Sequence, residues 1–342
     1  MSMIKPAYQV RAVGCDYRAS DEEVYQALKR ATDPLERAWD KLKKARTIAI
    51  KFNQDKMLRQ LVMFDTRHRQ QLVSDCVARA LLRLLRERTT ARLYCIDVSF
   101  YQVYSGAEKD STTNIMPVLK EFDVEYVNGN IGDVHMVAVP GGGSMFDQYP
   151  LHERAIGADA FISVAKLKNH AFMGVTMCLK NLFGLTPTQP LGRPRFYYHH
   201  LVRMPYMLAD LGRVYNPTLN VIDGLVGQAG EEWGKGDNPR ICNTLIAGDQ
   251  VIATDAVGAH LMGLDPAGDW LSGPYHRDRN PLLCAAESGF GTVNLDEIDW
   301  QSEIQSPVNQ FFSKNTDSRE TVISWSRTTA EQAMYFIDHR KE

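Results

Sequence analysis

The chain has 342 residues, 44% of them hydrophobic and 23% charged, an ordinary globular composition with enough apolar material for a sizeable core. Its 39 Lys and Arg nearly balance 41 Asp and Glu, for a formal net charge of -2, which argues against a general nucleic-acid binder. The opening MSMIKPAYQVRAVG holds no apolar core of signal-peptide length, and no run of about 18 apolar residues occurs anywhere, so a soluble cytoplasmic protein with no membrane partner is expected.

In chain order, residues 21–45 read as two amphipathic helices broken near Pro34. TIAIKF (47–52) is a buried strand, and RQQLVSDCVARALLRLLRER (69–88) repeats apolar residues at helical spacing, with Asp65 or Thr66 as its expected cap. Arg79, Arg83, Arg86 and Arg88 on that helix read as a solvated face rather than a nucleic-acid site. ARLYCIDV (91–98) is a strand, NIMPVLKEF (114–122) a short helix, VEYVN (124–128) a strand, and VHMVAV (134–139) another strand that runs into PGGGSM. GGGS (141–144) lacks the lysine of a P-loop and reads as a plain turn. HERAIGA (152–158) suggests a helix, and DAFISVA (159–165) a central strand that delivers a lysine-rich segment at its carboxyl end. GVTMCLKNLF (174–183) reads as a helix ended by Gly184. Strands LNVID (219–223) and NTLIAGD (243–249), the helix QVIATDAVGAHLMGL (250–264) and a last helix in TAEQAMYFIDHRK (329–341) follow. Short strands alternating with helices predict an α/β protein, a mostly parallel sheet flanked by helices, doubly wound and Rossmann-like, in one domain over 1–342.

In such sheets ligands bind beyond the carboxyl ends of the strands. Lys51 and Asn53 fall there after TIAIKF, Lys166, Lys168 and His170 after DAFISVA, and Asp223 at the end of LNVID, with Glu231 and Glu232 in the loop beyond it. On an extended chain alternate residues share a side, so Lys166, Lys168 and His170 point one way. Lys180 sits inside the expected helix, whose N-terminus would suit a phosphate or carboxylate. The bland alternative pairs Lys166 and Lys168 with Asp223, Asp255 or a nearby Glu as internal ion pairs, and gives Asp255, alone in an apolar helix, only that duty. His170 is as consistent with a satisfied structural histidine as with acid–base work. Asp223, Asp255, Glu232 and His170 are also an oxygen-rich set suited to magnesium or manganese, although no metal-ligand spacing assigns a metal. Neighbouring His199 and His200 point apart on regular structure and make a poor metal pair.

The segment SVAKLKNHAFMGVTMCLKNLFGL resembles the signature of the domain of unknown function 362 family, an aspartate-led strand running into K-x-K-x-H, then V-T, then L-K-N-L-F-G. Lys166, Lys168, His170, Val175, Thr176, Lys180, Asn181 and Gly184 carry the match. IAIKFN, VIDGLVGQAGEEWGKG and VIATDAVGAHLMGLDP are similar to further blocks of that family, so residues 46–265 are its core and 1–45 and 290–342 are extensions. The resemblance adds Thr176 and Asn181 to the candidate ligand-binding residues. Many family members carry cysteine-rich ferredoxin-type segments. Here Cys15, Cys76, Cys95, Cys178, Cys242 and Cys284 are scattered, so no iron–sulfur cluster is expected from this chain and the cofactor stays unknown. A fainter likeness, in strand order and the DTR before a long helix, is to lactate racemase-type proteins at the level of fold alone.

The expectation is an enzyme acting on a small anionic carboxylate or phosphate metabolite, isomerase- or lyase-like, with a homo-oligomer as one form it can take. Lys166 and Lys168 polarise the anion, His170 transfers a proton and Asp223 balances a lysine; Lys51, Asn53, Lys180, Asn181, Thr176, Glu231 and Asp255 bind the ligand. The alternatives are a non-catalytic anion-binding module and a redox protein partnering a separate iron–sulfur protein.

Overall fold

The computed structural model describes residues 8–54, 61–99, 113–170, 173–188, 193–200, 202–230 and 238–312. Glu231, Glu232 and the helix expected at 329–341 lie outside the described residues.

After strand β1 (Tyr8–Gly14), Ser20 and Glu23 form a capping box that opens α1 (Asp21–Thr32), and the chain breaks at Pro34 before α2 (Glu36–Lys44). Strand β2 (Thr47–Phe52) leads to α3 (Asp75–Arg88), which starts six residues later than its apolar spacing suggested. The reason lies in what residues 65–73 bind instead. Asp65 accepts the amides of Arg67 and His68, and Arg69 reaches the Val73 carbonyl, Asp75 and the Asn114 carbonyl, so Ser74 rather than Asp65 or Thr66 occupies the cap position. On α3, Arg79 meets Asp21 and Glu121, Arg83 meets Glu22 and Glu87, and Arg88 meets Asp33, the solvated, paired face that the sequence suggested.

Strand β3 (Arg92–Asp97), α4 (Met116–Glu121) and β4 (Glu125–Asn128) complete one half of the sheet. A separate hairpin, β5 (Val134–Ala138) with β6 (Gln148–His152), and the short α5 (Glu153–Ile156) carry the chain back to β7 (Ala160–His170). There follow β8 (Gly174–Thr176), the four-residue α6 (Cys178–Asn181), α7 (Arg193–His200), α8 (Met204–Tyr215), β9 (Leu219–Gln228), β10 (Pro239–Gly248), α9 (Val251–Leu261), α10 (Pro281–Glu287) and β11 (Ile298–Ser302). The large sheet runs β11-β1-β10-β9-β7-β2-β3-β4, with β8 attached to β7. β4, β3, β2, β7 and β9 are mutually parallel, and β10 is reversed between β9 and β1. The α/β architecture and mostly parallel sheet expected from the alternation are therefore present, and the end segments add β1 and β11 to its edge beside their helices.

Side-chain alternation along each strand splits the core in two. Ile48, Ile50, Ile162 and Val164 pack under α1–α4, while Ala49, Phe161, Ala165 and Leu167 pack under α6, α8, α9 and α10. From β2 the chain first winds outward to β4 and then returns to β7 on the other side. The carboxyl ends of β2 and β7 thus flank the topological switch point, where an open α/β sheet takes its ligands.

Candidate functional site

Two lysines near that switch point are spent inside the fold. Lys51, 2% exposed, donates to the Phe52 carbonyl at 2.8 Å and lies 3.1 Å from Asp97 Oδ2. Gly184 presses on it: a Cβ there would stand 2.7 Å from Lys51 Cε. That close approach, rather than a left-handed helix end, is why a glycine is needed, since Gly184 lies within a 3-10 turn over Leu182–Leu185. Lys166 is fully buried on the other side of the sheet, 2.9 Å from Asp223 Oδ2, and Asp223 also accepts the amides of Ser74 and Leu225. These two ion pairs correct the expectation that the lysines converge on one guest. For Lys166 the internal-pair alternative holds, and Lys51, for which no such pair was expected, is also paired from within.

Strand β7 extends five residues past the expected DAFISVA, so Lys166, Lys168 and His170 belong to the strand itself. Lys168 shares the side of Lys166 but lies nearer the rim, donating to Asn53 Oδ1 at 2.9 Å and the Gln71 carbonyl at 2.8 Å. Thr176 stands opposite it on β8. His170 ends the strand, 3% exposed, and its Nδ1 accepts the Met173 amide at 3.2 Å. An amide can only donate, so Nδ1 is unprotonated and the ring proton of the neutral imidazole sits on Nε2. Burial first, then the charges of Lys180, His199, Lys168 and Arg277, hold its pKa well below the ordinary histidine range.

Rings link these groups. Lys180 Nζ lies 4.3 Å from the Phe183 ring centre, Phe183 is 5.4 Å from the His199 ring, and His199 is 6.2 Å from that of His170. Sequence reasoning missed His199 and Arg277 as neighbours of His170. His199 was visible only as half of an unlikely metal pair, and nothing local marks Arg277, which sits far along the chain on the loop before α10.

The expected helix over 174–183 is instead strand β8 followed by the single turn α6. The N-terminus of that turn is capped from within: the carboxylate of Asp255, from α9, accepts the amides of Cys178 at 2.9 Å and Leu179 at 2.7 Å. Burial raises its pKa to about 7, against the pull of those amides. Asp255 is thereby corrected from a ligand-binding residue to a cap. Asn181 is likewise structural: its amide donates to the carbonyls of Lys51 and Val164 and to Ser163 Oγ, tying β2 to β7. The GGGS turn repeats the theme, since the amides of Ser144, Met145 and Phe146 surround the buried carboxylate of Asp210. Asp223 and Asp255 serve separate amide groups, and among the described residues no trio of His, Cys, Asp or Glu is placed to hold a metal. The six thiols are free and buried.

Fold and rim together define a doubly wound α/β protein with a histidine set among cations at the switch point. Residues 63–260, more than half of the chain, match the family described as a domain of unknown function (DUF362), and the chain belongs to that family. One relative is the thylakoid-associated protein sll1697 of Synechocystis sp. (strain ATCC 27184 / PCC 6803 / Kazusa), 32% identical over 145 residues that cover 40% of this chain and 44% of the relative. The match thus spans less than half the length of that curated relative. Among the described residues no helix is long and apolar enough to cross a membrane.

Proposed function

We propose that the carboxyl edge of β7 binds a small anionic metabolite, a carboxylate or a phosphate ester, and that the protein is an enzyme of the isomerase or lyase kind acting on it by acid–base chemistry. One observation carries this reading: a buried, neutral imidazole at the switch point on which the strongest charges, Lys180, His199, Lys168 and Arg277, are all of basic groups. Positive groups gathered in a partly desolvated crevice attract an anion far more strongly than the same groups in water. Lys168 and Lys180 hold the charge of the ligand. His170, its proton fixed on Nε2 by the Met173 amide, donates to a ligand oxygen and polarises it, the role a neutral imidazole can fill without first being charged. Lys166 with Asp223, and Lys51 with Asp97, act from behind, holding β7 and β2 in register beneath the rim. A cytoplasmic location belongs to the same reading, supported by six cysteines kept as single buried thiols.

A second reading, a non-catalytic anion sensor, is favoured by the same fixed tautomer, because a donor serves holding as well as polarising. A thermal-shift panel of phosphorylated and carboxylated metabolites identifies the ligand class through stabilisation of the native state. Against the ligand so found, His170→Ala separates the readings: an enzyme loses turnover and keeps most of its affinity, whereas a sensor has only affinity to lose. A panel in which no anion shifts the melting temperature, and in which Lys168→Met changes nothing, overturns the anion reading.

A further inference from the structure

The turn Cys178–Asn181 carries Lys180, the charge that weighs most on His170, and Asn181, the tie between β2 and β7. The turn, with the 3-10 turn Leu182–Leu185 that continues it, is too short to be stable by itself, because nucleating a helix costs more than one or two turns of hydrogen bonds return. Asp255 supplies what is missing. Each of its two carboxylate oxygens accepts one amide of the turn, Cys178 through Oδ1 and Leu179 through Oδ2. One turn further along α9, Gly258 allows the close packing that brings the carboxylate there, since a Cβ would stand 2.6 Å from Met177 Sδ. The titratable groups that face this carboxylate are the Cys178 thiol on α6 and, from the loop before α10, the Tyr275 phenol. Among the described residues the main influences on its ionisation are burial, the two amides and the Cys178 thiol, and none is a cation.

We propose that Asp255 is a positioning residue whose ionisation sets the placement of Lys180, so that anion binding beside His170 weakens when this carboxyl takes up a proton. The ligand half of the inference rests on the function proposed above; the structural half does not. Protonation removes the negative charge and leaves one oxygen as a hydroxyl, a much poorer acceptor whose own proton must also be placed, so one of the two contacts to the turn is weakened. The change falls near neutral pH, where burial has moved this group. Its sign is diagnostic. An anion site governed by histidines alone binds more tightly as pH falls, because imidazoles gain charge; control by Asp255 makes binding weaker.

The test uses the full chain and sulfate, an anion whose charge is constant from about pH 5.5 to about pH 8.5. Calorimetric titration and amide hydrogen exchange of residues 178–181 are compared in wild type, Asp255→Asn and Lys180→Met. Wild type should bind sulfate about tenfold more weakly at the acid end, and its turn should exchange faster there after correction for intrinsic pH dependence. Asp255→Asn should be weak and insensitive to pH, with fast exchange throughout. Lys180→Met should be weak throughout while keeping the wild-type exchange profile. Exchange that ignores pH in wild type, or an Asp255→Asn protein with the wild-type sulfate profile, overturns the proposal. Absence of sulfate binding with a pH-dependent turn overturns the ligand half and the anion reading, and upholds the positioning half. Should Asp255→Asn not fold, Asp255→Glu keeps a titratable cap and must keep the sign of the exchange profile.

Discussion

Lys51 and Lys166 differ from Lys168 and Lys180 in where they lie more than in which motif carries them. The first two sit below the rim, each against a buried carboxylate, and Lys166 with Asp223 is wholly enclosed. The second two sit near the edge, Lys168 against neutral oxygens and Lys180 over an aromatic face. Depth decides the difference. An ammonium wholly removed from water must be met by a fixed counter-charge, whereas Lys180 is only half-buried and Lys168, although buried, is held by oxygens at the end of its strand. A lysine-rich signature therefore mixes scaffold with site, and residue type alone does not separate them.

The largest effect should come from breaking an inner pair. Lys166→Met strands the buried Asp223 carboxylate and should cost about 3–5 kcal/mol in a denaturant titration, while Lys166→Met with Asp223→Leu recovers much of the loss. If the single change is tolerated without loss, the inner lysines are not scaffold and the contrast fails.

Next in size is a pH dependence carried by Asp255, whose pKa rises from the ordinary 3.8 to about 7 on folding. Between those values the folded chain binds the extra proton, so the stability it contributes is present at acid pH and lost as pH rises through about 7. From about pH 5 to about pH 8 wild type should lose roughly 2–3 kcal/mol relative to Asp255→Asn. His170 acts with the opposite sign, since its depressed pKa removes stability as pH falls below 6.5, and it cancels in that comparison. Parallel pH profiles of the two proteins would refute the buried ionisation.

Smaller again is the effect at the rim. Lys180→Met should leave unfolding stability within about 1 kcal/mol, because Lys180 is only half-buried and a contact such as that with the Phe183 face is worth no more than about that at an accessible site, yet weaken sulfate about tenfold. Equal losses of stability and affinity would place Lys180 with the scaffold. Least of all, Arg83→Ala on α3 should shift stability by less than about 1 kcal/mol despite its pairs with Glu22 and Glu87, since both partners are exposed.

Much of the fold was legible. TIAIKF, ARLYCIDV and VEYVN are strands because continuous or alternating apolar residues fit a sheet covered by helices, and Pro34 does divide two helices. The segments misread are those whose structure is settled by distant partners. The apolar spacing of 69–88 overran the true start of α3 because Arg69 and Asp65 bind loop groups instead. The spacing of 174–183 suggested a whole helix, but pairing with β7 takes its first half as a strand. Strands β1 and β11 gave too little local signal beside their helices, and their place at the sheet edge comes from pairing with each other and with β10. At the site, Lys168, His170 and Lys180 were legible as a constellation; His199 and Arg277 were not.

Alternation and helical period, both properties of neighbours along the chain, were enough for the sequence alone to determine the α/β class and the parallel core strands. Only the tertiary structure decided which charges are answered from within. Asp97, Asp223, Asp255 and Asp210 each come from a different strand or helix to meet the lysine or amides they serve. Charge compensation in a buried setting is a matter of ångströms in space, and separation along the sequence carries almost no information about it.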